Sequence, residues 1–466
     1  MSDNSPSFLN QGDTILPAFR GEIEHQKVPP LSHSQIFFQD QELVRLTARK
    51  IPLVDLACFC LVSSKLFKTA APILWEIIPT SLCLLSLLPG FSCVDGRWNL
   101  LRDHDANELR RFYFYSAFVT QIIHPFSSNP YRSSDLNPSI FDRLQAVLPD
   151  RPLFPNLRIC IEPPLPDRII YLDSPFFSAS LRQLSCTVLL GMDERVAEVL
   201  TRAQLTKLAF TGYISPDSLI RIGRLCHLSE LDLQFSKRIA FFNVAEGITN
   251  TLTLVLGNSA FLQHVTSLSL SLPRFISIGQ LPLSSLANLR RLAIVARTDT
   301  INAILMATSN LVCASIHATN RNLHSLCDSV DILAHHCPTT LRSVTLKTNT
   351  LIRFRSLVSP LLAVRNVRRL AIMTRYPVIE VRDSDFLAVA NAWPLLEVLD
   401  LPSKSSTEQL TVISLHHLAR LNHLRSFRFV LAGQVVSLPW THLGLSEDLR
   451  DYMADLFPQE HVRRDF

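Results

Sequence analysis

Pairs of reactive side chains occur at few places in this sequence. Cys58 and Cys60 are the closest of the ten cysteines, and their apolar neighbours favour inert packing over an activated thiolate. No CxxC pair occurs, so the usual spacing of zinc fingers and of thioredoxin-like redox centres is missing. His335–His336 and His416–His417 fall in predicted helices, where adjacent side chains point about 100° apart and cannot share a metal ion. We therefore expect no metal site and no cofactor.

Motifs for covalent catalysis and nucleotide binding are also missing. The sequence contains no GxGxxG, GxxxxGK(S/T), GxSxG or HExxH motif, and its 12 glycines leave little material for phosphate-binding loops. Asp383 and Asp385 are better placed to cap a helix from Ser384 than to act as an acid and base pair. We predict that the protein is not an enzyme.

An apolar repeat dominates the sequence from residue 154 onward. Segments of the form L-x-x-L-x-L, with other apolar residues in place of some leucines, recur over ten intervals that total 270 residues, a mean period of 27. The last three positions alternate as in a short strand, and the first apolar residue anchors the turn before it. The segments start at Phe154, Leu181, Leu205, Leu228, Val265, Leu289, Leu311, Leu341, Val367, Leu396 and Leu424.

Helical patterns follow several of these segments, at residues 193–202, 323–336, 384–393 and 407–421. A strand and a helix per repeat can bury their apolar faces only by stacking on neighbouring repeats. The predicted fold class is therefore α/β: an irregular solenoid that resembles leucine-rich repeats, with parallel strands on a concave face and helices on a convex face. An ordinary α/β domain is the alternative, although it has no fixed period. The interval of 37 residues after Leu228 requires an insertion near residues 239–257, and the Asn or Cys expected after the third apolar position is mostly missing.

The variable strand positions would line the concave face of such a solenoid. Most are Ser, Thr or Ala, and six positive side chains outnumber three negative ones, so we expect a modest preference for an acidic or phosphorylated segment of a partner protein. The alternative is that these side chains only keep the sheet surface soluble. The charged candidates are Arg158, Lys207, Arg291, Lys347, Arg369, Arg428, Glu230, Asp232 and Asp400.

The run from Pro52 to Trp75, PLVDLACFCLVSSKLFKTAAPILW, resembles the F-box. A Pro-Leu-x-Asp-Leu start, a Val-Ser-x-Lys-x-Phe centre and an Ala-x-Pro-x-Leu-Trp end recur in that family, which in fungi often carries leucine-rich repeats behind the F-box. The matching residues are Pro52, Leu53, Asp55, Leu56, Val62, Ser63, Lys65, Phe67, Ala70, Pro72, Leu74 and Trp75.

This resemblance implies the substrate-recognition subunit of a cullin-type SCF ubiquitin ligase. Such a subunit would bind the linker subunit, and through it the cullin, while its repeats hold a target protein. The family usually begins with a Leu-Pro pair, which is replaced here by Gln39 and Asp40. The residues implied in docking are Pro52, Leu53, Asp55, Leu56, Leu61, Val62, Phe67, Pro72 and Trp75.

A second hypothesis uses the same apolar stripes without a ligase. Leu53, Leu56 and Cys60 fall at helical spacing, so the N-terminal helices could simply cap the repeats of a protein-interaction scaffold. Burial of Leu56 and Trp75 would favour the scaffold, whereas exposed apolar surface in this region would favour docking.

The remaining expectations concern domains and location. We predict a disordered leader (1–33), an F-box-like helical domain (34–80), a helical connector with a Pro/Ser-rich linker (81–153), the solenoid (154–439) and a C-terminal cap (440–466). No secretion signal is present, and Glu76 and Pro79 interrupt the most apolar run, so we expect an intracellular protein of cytoplasm or nucleus without membrane contact. A net charge of +5 without long basic blocks argues against nucleic-acid binding.

Overall fold

The computed structural model divides the chain into two compact units, residues 1–70 and 71–466. The predicted leader and the predicted C-terminal cap lie outside the described residues, as does nearly all of the predicted helix 193–202. The structure describes residues 40–123, 137, 139–147, 151–161, 179–188, 200, 203–235, 242–283, 285–320, 323–348, 352–374, 378–379, 381–401, 410–431 and 434–438.

The α-helices of the described residues are α1 (Gln41–Ala48), α2 (Leu53–Cys60), α3 (Ser64–Leu74), α4 (Leu82–Leu85), α5 (Arg110–Ser116), α6 (Ser139–Val147), α7 (Pro216–Gly223), α8 (Phe242–Gly257), α9 (Thr298–Met306), α10 (Leu323–His336), α11 (Phe354–Val358), α12 (Asp383–Ala392) and α13 (Val412–Ala419). A 3-10 helix spans Ser359–Ala363.

The strands are β1 (Ile77–Ile78), β2 (Phe91–Val94), β3 (Arg97–Leu100), β4 (Gln121–Ile123), β5 (Ile159–Ile161), β6 (Gln183–Val188), β7 (Lys207–Gly212), β8 (Glu230–Phe235), β9 (Ser267–Ser271), β10 (Arg291–Ala296), β11 (Cys313–Ala318), β12 (Ser343–Thr348), β13 (Ile352–Arg353), β14 (Arg369–Thr374), β15 (Val378–Ile379), β16 (Val398–Asp400), β17 (Ser426–Leu431) and β18 (Gln434–Leu438).

A polar cap and a proline mark the starts of α1 and α2 in the first unit. The carboxylate of Asp40 accepts hydrogen bonds from the backbone N–H groups of Glu42 (2.9 Å) and Leu43 (3.2 Å) at the start of α1. Pro52 precedes α2 with a φ of −54°, which is already close to helical. Asp40 therefore caps the start of α1.

One sheet with a single strand order runs through the second unit. Its order is β1-β4-β5-β6-β7-β8-β9-β10-β11-β12-β14-β16-β17-β18. Each pair of neighbours is parallel except β17 and β18, which are antiparallel. Neighbours in the sheet thus follow in sequence, apart from β2–β3 and β13–β15, which pair separately.

The strand register matches the predicted repeat. Leu231 pairs with Leu208 on one side and Leu268 on the other, so equivalent apolar positions stack through the sheet. All three are at most 3% exposed, whereas the intervening positions face the other side of the sheet, which we call the strand face. The predicted fold class, an α/β leucine-rich-repeat solenoid, is confirmed.

The long interval after Leu228 holds the 16-residue helix α8, as the predicted insertion requires. Helices α10 and α12 also occupy the predicted segments, and α13 lies within the fourth. Helix α8 contacts α7, so the insertion belongs to the helical side of the repeats rather than to the strand face.

The first repeat is displaced from its predicted start. Cys160 pairs with Leu184, so the first apolar residue of this repeat is Leu157, which corresponds to Leu181, and not Phe154. Phe154 is buried and lies against Phe112, with ring centroids 6.2 Å apart. As a correction, Arg158 precedes strand β5 and does not belong to the strand face.

The sheet already contains two strands ahead of residue 154. Strand β1 pairs with β4, and β4 pairs with β5, while β2 and β3 form a hairpin. Its turn residues Asp95 and Gly96 have φ values of 51° and 76°, which match a tight turn between twisted strands. The sheet therefore begins at β1, within the predicted F-box-like domain, and continues at β4, within the predicted connector. The domain boundaries themselves stay predictions.

Asparagine side chains bridge successive repeats just before the strands. Asn288 Nδ2 donates to the carbonyl of Gln263 at 2.8 Å, Asn310 Nδ2 to that of Ala287 at 2.9 Å, and Asn366 Nδ2 to that of Thr339 at 2.8 Å. Each asparagine directly precedes the first apolar residue of its repeat. Among the described residues a side-chain ladder is thus present, and it lies before the first apolar position of the repeat rather than at the expected place after the third.

Candidate protein-interaction surfaces

An exposed apolar surface lies on α2 and the turn that follows it. Leu53, Val54, Leu61 and Val62 are 63%, 78%, 85% and 72% exposed, and Ala57 between them is exposed as well. Leu53, Ala57 and Leu61 are four residues apart, which is the spacing of one helical face. We call these five residues the apolar stripe. The opposite side of α2 is buried through Leu56 (1% exposed) and Cys60 (6% exposed).

The residues implied in docking are divided between surface and interior. Pro52, Leu53, Asp55, Leu61 and Val62 are exposed, whereas Phe67, Pro72 and Trp75 are half-buried. Leu56 is part of the core, so its side chain does not reach a partner in this arrangement.

Trp75 belongs to the second unit and packs on Tyr115, with ring centroids 4.7 Å apart. Burial of Leu56 is a feature expected of a capping role, whereas Trp75 is only half-buried. The exposed apolar stripe is the feature expected of docking. The chain thus carries both features, on different residues.

Ion pairs neutralise four of the charged residues predicted for the strand face. Lys207 Nζ lies 2.9 Å from Glu230 Oε1 on the next strand. Arg428 Nε and Nη2 donate to the two oxygens of Asp400 at 2.8 and 3.0 Å. These four residues therefore offer little net charge to a partner.

The other predicted charges differ in their surroundings. Arg291, Lys347 and Arg369 are exposed, and Asp232 accepts a hydrogen bond from Gln234 Nε2 at 3.1 Å. Lys347 lies opposite His317 in the register. Burial, and then the positive charge of Lys347, lower the pKa of His317, so this imidazole stays neutral at physiological pH.

A row of arginines just before the strands was missed by the sequence reasoning. Arg290, Arg342, Arg368 and Arg425 each follow the first apolar residue of a repeat directly and are exposed. Their backbone groups take part in a ladder in which the Arg342 carbonyl accepts from the N–H of Arg368 at 2.7 Å. The sequence signal that could have identified this row is an arginine directly after the first apolar residue of the repeat, as in the segments NLRR, LRS and NVRR.

Groups that could perform chemistry are sparse among the described residues. No cluster of His, Cys, Asp and Glu in this part of the chain could hold a metal ion. Burial raises the pKa of the Cys60, Cys83 and Cys337 thiols, which disfavours the reactive thiolate. No helix in the described ranges is long and apolar enough to cross a membrane.

Comparison with known proteins gives weak structural similarity only. No family model and no curated protein sequence matches the chain. The leucine-rich repeat-containing protein LegL7 from Legionella pneumophila is similar with a TM-score of 0.29 and 14% identity, over 59% of this chain and 98% of that chain. One chain of the Rad7 and Elc1 complex from yeast is similar with a TM-score of 0.23 and 14% identity, over 55% of this chain and 81% of that chain.

Proposed function

We propose that this protein is a non-enzymatic adaptor that docks on the linker subunit of a cullin-type ubiquitin ligase through α2 and holds a target protein on its solenoid. Catalysis would reside in the partners. The adaptor would contribute proximity, because it raises the effective concentration of a target lysine near a conjugating enzyme. It would act in the cytoplasm or nucleus, without nucleic acid or membrane contact.

The apolar stripe is the single observation that carries this proposal. Leu53, Val54, Leu61 and Val62 all lie in the F-box-like run and are more than 60% exposed. Contiguous exposed apolar side chains mark interaction surfaces on monomeric proteins. The opposite side of α2 is already buried through Leu56 and Cys60. The exposed residues of the apolar stripe are therefore not needed to bury this helix within its own unit.

The target would be held by the second unit. A solenoid of stacked strands and helices provides a long continuous surface with a fixed spacing between repeats. Ser, Thr and Ala dominate its strand face, and four of its charged residues neutralise one another. The strand face would therefore bind a target mainly through complementary shape and hydrogen bonds, and less through net charge.

The test measures binding of the full chain to a purified linker subunit by calorimetry. The variant Leu53→Asp/Val62→Asp places charge on exposed side chains and should fold normally, whereas Leu56→Asp would bury a carboxylate and destabilise the helix. Leu283→Asp is the matched control, since Leu283 is 76% exposed but lies in the second unit. We expect loss of binding in the double variant and unchanged binding in the control.

A ligase-independent scaffold is the second candidate function. The burial of Leu56 favours it, because it gives the apolar residues of α2 a role within the chain itself. Failure of the intact protein to bind the linker subunit, with the double variant melting at the same temperature as the intact chain, would support the scaffold and refute ligase docking.

A further inference from the structure

The C-terminal half of the sheet carries a concentration of arginines on one edge. They occupy the two positions that follow the first apolar residue of each repeat, where the parallel strands begin. We call this set the arginine edge: Arg290, Arg291, Arg342, Arg368, Arg369 and Arg425, all of which are exposed.

Backbone hydrogen bonds hold these residues in consecutive order. The carbonyl of Arg290 accepts from Val312 N at 2.8 Å, that of Val312 from Arg342 N at 2.9 Å, and that of Arg342 from Arg368 N at 2.7 Å. The ladder continues from Arg368 to Glu397 and Arg425. Neighbouring rungs of a sheet are about 4.8 Å apart, so the edge spans about 24 Å over five steps.

Few carboxylates compensate the charge of this edge. Glu397 pairs with Arg368 at 3.1 Å. The six rungs of this edge are the repeats that start at residues 289, 311, 341, 367, 396 and 424. Glu397 is the only acidic residue at the two positions that follow these six starts. Elsewhere the sheet pairs its charges, as in Lys207–Glu230 and Asp400–Arg428. Like charges at such short spacing repel each other, so this edge carries an electrostatic cost in the free protein that bound carboxylates would relieve.

We infer that the arginine edge binds an acidic, extended segment of a partner protein through Asp and Glu carboxylates. Its length fits about seven residues of extended chain at roughly 3.4 Å per residue. The pair between Arg428 and Asp400 gives the bonding pattern, since two parallel N–H groups of the guanidinium meet two carboxylate oxygens. This inference rests on the part of the proposed function in which the solenoid holds a protein, and not on ligase docking.

A protein segment fits this edge better than a nucleic acid. Binding of single strands combines basic grooves with aromatic side chains on which bases stack. The six rungs contain no Phe, Tyr or Trp at residues 288–291, 310–313, 340–343, 366–369, 395–398 and 423–426. The edge therefore offers guanidinium groups for carboxylates without surfaces for bases.

The experiment uses fluorescence anisotropy of a labelled ten-residue peptide of alternating Glu and Ser, titrated with the full chain. A peptide of alternating Gln and Ser serves as the neutral probe. We expect binding of the Glu peptide only, and weakening as salt is raised from about 50 to about 300 mM, because exposed charges are screened over several ångströms.

Two triple variants that remove the same amount of charge distinguish binding at the arginine edge from general attraction of the acidic peptide to a positively charged protein. Arg290→Gln/Arg342→Gln/Arg369→Gln removes half of the edge, while Arg97→Gln/Arg110→Gln/Arg221→Gln removes exposed arginines elsewhere on the second unit. We expect at least about ten-fold weaker binding in the first, as three charge pairs of moderate strength predict, and less than about three-fold in the second.

Three results would overturn the inference: absence of Glu-peptide binding, equal losses in both triple variants, or displacement of the peptide by a ten-residue thymidine oligonucleotide at lower concentration than by unlabelled Glu peptide. Linker-subunit binding by the edge variant is measured in parallel. If that binding persists while peptide binding is absent from the intact chain, the edge inference fails and the docking proposal stands.

Discussion

Arg428 meets Asp400 on the neighbouring strand in a bidentate ion pair, with distances of 2.8 Å from Nε to Oδ1 and 3.0 Å from Nη2 to Oδ2. The two residues are directly opposite in the register of β16 and β17. Both were predicted to contact a partner, but the geometry directs them to each other. Of the charged residues predicted for the strand face, these two are therefore not available to a partner, whereas the exposed Arg291 and Arg369 belong to the arginine edge.

A double-mutant cycle should detect this pair as a coupled unit. Arg428→Ala and Asp400→Ala are each expected to lower stability, and the double variant should lose less than their sum, with a coupling of about 0.5–1 kcal/mol for a partly exposed bidentate pair. Urea unfolding followed by circular dichroism measures the free energies. The single-contact pair Lys207–Glu230 is the comparison and should couple more weakly. Strictly additive effects for Arg428 and Asp400 would mean that the pair contributes nothing.

Gly223 should not tolerate a side chain, because α7 approaches its neighbours closely there. A Cβ at Gly223 would lie 3.0 Å from Val255 Cγ1 and 3.2 Å from the ring of Phe261. We expect Gly223→Ala to cost about 1–3 kcal/mol through overpacking. Thermal unfolding by circular dichroism provides the measurement.

Gly247 in α8 provides the matched control for that substitution. A Cβ there would meet Pro216 Cγ at 3.6 Å, an ordinary contact. Gly247→Ala should therefore be neutral or stabilise the helix by up to about 1 kcal/mol. Equal destabilisation by both substitutions would contradict the packing argument.

Asp383 should make the stability of the C-terminal repeats depend on pH. Burial would raise the pKa of its carboxyl, but hydrogen bonds from Ser414 Oγ, from Thr411 N and from Thr411 Oγ1, together with the charge of nearby His417, lower it below the usual value. A depressed folded-state pKa stabilises the protein above the unfolded-state value of about 4 and this stabilisation is lost as the pH falls through the folded-state pKa.

Asp383→Asn should therefore lower the melting temperature at pH 7, with the difference from the intact chain narrowing as the pH falls below about 4 and the native carboxylate is protonated. Melting is followed by circular dichroism at several pH values. Asp331→Asn, at an exposed position of α10, is the control and should have little effect. A constant difference at all pH values would show that hydrogen bonding alone, and not ionisation, is responsible.

Repetition made most of the solenoid predictable. Equivalent apolar residues such as Leu208, Leu231 and Leu268 can be buried together only when each repeat adds one strand beside the last, so the period implies the parallel sheet. The first repeat was ambiguous because Phe154, Leu157 and Cys160 follow one another at three-residue spacing. Strands β1 and β4, of two and three residues, are too short to carry a pattern.

Side-chain partners were not predictable in the same way. Asp383 and Asp385 were both predicted to cap the helix that begins near Ser384. Asp385 does so, because it accepts a hydrogen bond from Arg382 N at 2.9 Å. Asp383 instead accepts a hydrogen bond from Thr411, which lies 28 residues later in the sequence. Asp400 and Arg428 are equally far apart in sequence and meet only because the register sets their strands side by side.

The sequence by itself determined the repeat, the parallel order of its strands and the presence of apolar residues around α2. Only the tertiary structure decided that Leu56 is buried while Leu53, Leu61 and Val62 remain exposed, and that the arginines before the strands form one edge. Helical spacing identifies apolar faces, and a repeat identifies equivalent positions. Which face is covered and which charges become neighbours depends on contacts between residues far apart in the chain.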